Sequence, residues 1–174
     1  MSGGELVTKD DWTVQGRANH GPVLVNAIVP NGWMLKSVLV NGEDVTDSGI
    51  PTRSGGTVDG VQIVLTDRLT AVSGAAVDDL GHPARDYVVV IFADDPSLWT
   101  RASRRQRMET PDQQGRFESK SLPPGHYLAA ALDYIEEGQQ MDPEFLELLR
   151  AVSSPFEVGE GEAKTLSLRV APHP

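Results

Sequence analysis

Residues 110–128, TPDQQGRFESKSLPPGHYL, set two turns of different stiffness on either side of an alternating segment. Asp112-Gln113-Gln114-Gly115 opens on a side chain that can cap its own backbone and closes on a glycine free to take positive φ. Arg116-Phe117-Glu118-Ser119 then alternates, the period of a half-buried strand. Leu122-Pro123-Pro124-Gly125 reverses the chain again, two prolines fixing φ before the glycine. His126-Tyr127-Leu128-Ala129-Ala130 starts another strand. The segment therefore predicts an antiparallel meander in an all-β protein, an antiparallel β-sandwich, and it places no catalytic group.

Upstream, residues 12–18, 22–29, 33–40 and 57–65 read as strands. Pro30-Asn31-Gly32 and Asn41-Gly42 between them are hairpin signals, and residues 51–56 form a loop. Residues 30–38 echo the Pro-Gly-aromatic phrase of residues 122–128, and residues 61–65 echo residues 164–170. This repetition predicts tandem units: a partial β-sandwich of four or so strands over 1–66, a complete one over 67–171, and a tail over 172–174. About sixty residues bury little surface. The open edges of the first unit are expected to need covering by the second unit, by another chain or by upstream sequence. One helix is expected over 142–152, with Asp142 as N-cap, Pro143 at the first helical position, and Phe145, Leu148, Leu149 and Val152 as one apolar stripe. It reads as a lid on the sandwich edge, with a partner-binding helix as the alternative.

Composition removes several functions. Fifteen basic against twenty-five acidic residues give a net charge of −10, the wrong sign for a nucleic-acid partner. With no cysteine there is no disulfide, thiolate nucleophile or cysteine zinc site. No run approaches the roughly eighteen apolar residues of a membrane span, so membrane insertion is not expected. Residues 1–11 contain no apolar signal core, and the sequence is read as a segment of a longer exported protein.

The D-x-x-G-x-F pattern at Asp112, followed by L-P-P-G-x-Y at Leu122, resembles the carboxypeptidase regulatory-like domains, whose fold is a transthyretin-like (prealbumin-like, Ig-like) β-sandwich. Residues 72–83, VSGAAVDDLGHP, look like that family's opening strand and first turn, with Ala75-Ala76 in the middle of its usual pattern. Tyr87-Val88-Val89-Val90-Ile91-Phe92 is similar to its second strand. The likeness covers residues 69–170. It implies a sandwich with a short helix between late strands, and an extracellular, periplasmic or cell-envelope setting.

Candidate sites are sparse. His20, His82, His126 and His173 lie far apart in sequence and read as surface histidines without a role. Enzymes on related sandwiches use a His/Arg/His cluster with a C-terminal Tyr-Arg-Gly-Ser, or iron held by two tyrosines and a close histidine pair. This chain, ending Arg169-Val170-Ala171-Pro172-His173-Pro174, has neither. No catalytic residue, cofactor or metal is expected. Asp78, Asp79 and Asp112 lie in turns and are the residues that could converge on calcium, which wants six to eight oxygens. Arg101, Arg104, Arg105 and Arg107 form the basic cluster, suited to a carboxylate-rich partner or phosphate, or a solvated loop. Trp33 is expected in the core, and Trp99 is the candidate for an exposed stacking face. The expected function is a non-catalytic binding or spacer module contacting a protein partner or a second copy through the first unit. The alternative is a carbohydrate-binding module using Trp99 and the arginine loop.

Overall fold

A run such as Tyr87-Val88-Val89-Val90-Ile91-Phe92 has no polar face, so a strand built from it must be covered on both sides. The computed structural model, which describes residues 5–8, 13–17, 21–53, 56–100 and 103–174, supplies both covers. The chain divides into two compact units, Met1–Thr66 and Asp67–Pro174.

Among its described residues the first unit has seven short strands, not the four read from sequence. β1 (Glu5–Thr8) pairs with β2 (Val14–Arg17), and β3 (Gly21–Val23) with β6 (Ile50–Thr52). β4 (Met34–Val40) lies between β5 (Glu43–Asp44) and β7 (Val61–Thr66), with a bulge between Leu35 and Ser37. β5 and β6 are two and three residues long, too short to show a period. Asn41 and Gly42 both take positive φ, 51° and 87°, and join β4 to β5 as a two-residue hairpin needs. Pro30-Asn31-Gly32 is a turn, with the Trp33 N–H donating to the Pro30 carbonyl at 3.1 Å. It does not close a hairpin, because β3 pairs with β6 and not with β4. Val38, Val45 and Ile50 form the buried core, flanked by Val23, Val25, Leu35, Val40, Val58 and Val61.

The second unit holds two sheets. In the first, β8 (Ala71–Val77) sits between β11 (Arg116–Lys120), antiparallel, and β14 (Ala163–Ala171), parallel. In the second, β10 (Arg107–Glu109), β9 (Val88–Ala93), β12 (Gly125–Leu132) and β13 (Ser154–Val158) are antiparallel neighbours. The end of β14 pairs with the end of β12 and joins the two sheets at a corner. Val72, Ala76, Phe117 and Leu168 from one sheet meet Val89, Ile91, Tyr127, Ala129, Ala131, Phe156 and Val158 from the other in one buried cluster. This is a sandwich, and its fold is all-β as expected. Gly74 sits flat in β8 because a Cβ there would stand 2.9 Å from the Phe117 ring and collide with the Leu166 carbonyl.

The opposite face of the second sheet, carrying Val90, Phe92, Leu128, Ala130 and Leu132, is covered by α1 (Pro143–Arg150) and Trp99. That third layer explains the unbroken apolar run of β9. Asp142 caps α1 by accepting from the Glu144 N–H at 3.0 Å. The buried stripe is Phe145, Leu146 and Leu149, whereas Leu148 and Val152 are exposed. The helix therefore lies on a sheet face and not on the sandwich edge, and the stripe read from sequence was rotated by one position.

The meander is the main correction. β11 and β12 follow one another but do not pair: β11 bonds β8, and β12 bonds β9 and β13. The Pro-Pro-Gly corner carries the chain from one sheet to the other. Prolines lack the N–H a ladder needs, and side chains hold the corner instead. The Thr70 hydroxyl donates to the Leu122 carbonyl at 2.6 Å, and the Tyr127 hydroxyl to the Pro123 carbonyl at 2.6 Å.

Candidate functional site

The acidic turns gather where β9 begins. Asp78 follows β8, Asp112 precedes β11, and Ala75 stands opposite Arg116 in the ladder between those strands. The two turns thus share one end of the sandwich. Each carboxylate is already engaged by its own backbone. Asp78 accepts from the N–H of Leu80 (3.0 Å) and of His82 (2.8 Å), and Asp112 from the N–H of Gln114 (2.9 Å) and of Arg116 (2.9 Å). The bond from the His82 N–H holds the Asp78 carboxyl below the ordinary carboxylate value. Asp79 is exposed, its carbonyl accepting from Arg169 Nη1 at 2.9 Å. Among the described residues no three or more His, Asp or Glu side chains cluster in a way that could hold a metal ion, so these three turn acids do not assemble a calcium cage.

The arginine loop lies at the other end of β9 and is not a solvated run. Arg105 Nη1 donates to the Pro124 carbonyl at 3.0 Å and to the Tyr127 hydroxyl at 3.3 Å, which pins the loop to the proline corner. Burial pushes the Tyr127 hydroxyl above the ordinary tyrosine value, with the charge of Arg105 opposing it. Arg104 and Arg107 are half-buried. Arg101 lies outside the described residues, as do Trp12 and His20.

The two described tryptophans exchange their expected places. Trp99 is 7% exposed, its Nε1–H donating to the Ala93 carbonyl at 2.7 Å and its ring set edge-on to Phe92. The Arg150 guanidinium lies 5.3 Å from the ring centroid and is held there by Asp94 at 2.7 Å and Glu147 at 3.2 Å. A 3-10 turn over Pro96–Leu98, capped by the Asp95 side chain on the Ser97 N–H, folds the indole back onto the sheet. Trp99 is therefore no stacking platform. Trp33, expected in the core, is 45% exposed because it precedes β4 and stays outside the strand's alternation. His173 is not a bare surface histidine either: its ring stacks on Tyr134 at 4.5 Å and meets Gln139 Oε1 at 2.7 Å.

Two surfaces remain that sequence reading missed. In the first unit, residues 24–29 continue from β3, pair with no strand among the described residues and alternate in burial, Val23 and Val25 packing inward while Leu24 and Ile28 face solvent. In the second unit, a cleft of about 190 Å3 is lined by Ser103, Gln106, Arg107, Met108, Gln140 and Met141. Residues 103–108 and the 3-10 turn Gln139–Met141 are distant in sequence, and no local signal couples them.

No family profile matches the chain, and no curated protein does. Among solved structures, it is similar to a proposed carbohydrate binding protein from Pseudomonas aeruginosa (13% identity, TM-score 0.38, 57% of this chain and 87% of that one). It is similar to the dioxygenase domain of a dioxygenase–carbohydrate-binding protein fusion from Streptomyces sp. SirexAA-E (14%, 0.34, 59% and 80%). It is also similar to BcpA, the major pilin subunit of Bacillus cereus (11%, 0.39, 63% and 31%). With TM-scores below 0.5, none of these likenesses carries weight for fold or function. Among the described residues no helix is long and apolar enough to cross a membrane.

Proposed function

We propose that this chain is a non-catalytic binding and spacer module of an exported or cell-envelope protein. Its second unit would be a carboxypeptidase regulatory-like sandwich and its first unit the surface that meets a protein, including a second copy. The observation that carries this reading is the exposure of three large apolar side chains, Leu24, Ile28 and Trp33. These side chains face outward while, among the described residues, the buried apolar side chains of their own unit are Met34, Val38, Val45 and Ile50. An extended, unpaired segment with apolar side chains on its outer face supports strand addition by a partner. Light scattering over a range of concentrations tests it. The expected outcome is a mass rising above the 18.8 kDa of one chain, and a return to that mass in Ile28→Asp. A full-length chain that stays at one-chain mass throughout would remove self-association.

A second reading, a carbohydrate-binding module, is supported by the cleft beside Arg107. The buried Trp99 takes no part in it.

A further inference from the structure

Residues 22–30 read Pro-Val-Leu-Val-Asn-Ala-Ile-Val-Pro, and the segment is nearly the same in either direction. Asn26 stands at its centre. On either side of it Val25 matches Ala27, Leu24 matches Ile28, Val23 matches Val29 and Pro22 matches Pro30. Exposure has the same symmetry. Leu24, Asn26 and Ile28 are exposed, Ile28 completely, while Val23, Val25, Ala27 and Val29 are half-buried. That strict alternation belongs to an extended strand. A two-fold axis asks for such a sequence, because it sets residue i of one copy against j of the other and j against i. Laid antiparallel about Asn26, two copies match each outward side chain with one of its own kind.

Charge favours the same occupant. The chain carries −10, so two copies repel wherever their acids face one another. Residues 21–35 contain no Asp, Glu, Lys, Arg or His, and two copies can meet along them without a like-charge pair. The prolines fix the length of the contact. Pro22 and Pro30 have no N–H to give a ladder, which confines the pairing to residues 23–29. A single ladder of that length belongs at the weak end of protein interfaces, so association is expected at about 1 μM and above.

We propose that two copies of this chain join by antiparallel pairing of residues 23–29 about a two-fold axis at Asn26. Leu24 of each copy lies opposite Ile28 of the other, and the two Asn26 amides, each both donor and acceptor, face one another at the axis. The proposal rests on the protein-contact reading and adds to it the partner and the register.

The absence of cysteine makes the register directly readable. Full-length Asn26→Cys, Leu24→Cys and Ile28→Cys are equilibrated with oxidised and reduced glutathione and separated by non-reducing electrophoresis. Directly opposed Cβ atoms lie about 4.5–5.5 Å apart, close to disulfide reach, so Asn26→Cys should cross-link to itself. Leu24→Cys mixed with Ile28→Cys should cross-link as well. Leu24→Cys alone should give at least about tenfold less, since its two sulfurs are four residues, about 13 Å, apart along the ladder. A second measurement needs no disulfide. Asn26→Asp and Asn26→Lys each set like charges opposite one another; each alone should stay at one-chain mass in light scattering, and an equimolar mixture should return to two-chain mass. Equal cross-linking of Leu24→Cys alone and Asn26→Cys, or no recovery in the mixture, overturns the proposal. If wild type still exceeds 18.8 kDa, the protein-contact reading survives that result. Wild type at one-chain mass throughout overturns the proposal together with self-association, and leaves a different protein as the partner of this segment.

Discussion

Both units are built mainly from β-strands, yet the side chains they bury differ in kind. The first encloses Val38, Val45 and Ile50 and leaves Leu24, Ile28 and Trp33 outside. The second buries Phe92, Phe117, Tyr127, Leu146 and Leu149 in two clusters, one between its sheets and one beneath its helix. The difference lies in layering. A strand pattern assigns a residue to a face, but the face becomes a core only when a second layer meets it. In the second unit, β14 bridges the sheets and α1 covers the outer face. In the first, the described strands form two two-stranded ribbons and a three-stranded sheet.

The largest test of this contrast is Phe117→Ala. It removes a ring at the centre of the sandwich and should cost about 3–5 kcal/mol, read as a lower denaturant midpoint and as faster hydrogen exchange in β8 and β11. Exchange unchanged in those strands would mean that the two sheets do not share a core. Next comes Gly74→Ala, where a methyl group would press on the Phe117 ring and the Leu166 carbonyl. A loss of about 1–3 kcal/mol is expected in chemical denaturation, and a neutral result would show that the parallel β8–β14 contact is looser than described.

Ile50→Val in the first unit should cost about 0.5–1.5 kcal/mol, with exchange changing in β3, β4 and β6 only. Propagation into β9 or β12 would break the division into two compact units. The smallest effect belongs to Asp78→Asn. Backbone hydrogen bonding lowers the folded-state pKa of Asp78, so its contribution is present above the unfolded carboxylate value and is lost as pH falls below about 4. The variant should match wild type in a denaturation series below that pH and be slightly less stable near neutrality. An equal deficit at every pH would show that the carboxylate charge is not what caps the turn.

The turns were readable because their chemistry is local. Asn41-Gly42 needs two positive φ values and takes them. Asp112 caps Gln114 and Arg116 from within four residues. Asp142 and Pro143 start α1 by the same kind of short-range bond. The strand β9 was readable from its apolar run, although that run alone did not say what covered its second face.

Pairing and exposure were not readable, because they depend on residues far away. The Pro-Pro-Gly corner announces a reversal, but whether the next strand pairs with the last or crosses to another sheet depends on Thr70, Ala93 and Phe156. Trp99 looked like a loop aromatic, and the carbonyl that receives its N–H is six residues back, reached only after a 3-10 turn. The arginine cluster looked solvated because nothing nearby in sequence foretells that Pro124 and Tyr127 will hold Arg105. The cleft joins Gln106 to Gln140 across thirty-four positions of sequence and has no local signature.

By itself the sequence determined the all-β class, the caps and the turns, since these depend on the conformational freedom and hydrogen bonding of a few adjacent residues. Only the tertiary structure decided which strands pair and which of Trp33 and Trp99 faces water. Those outcomes are set by layers meeting over long loops, and the pattern along one strand does not contain its partner.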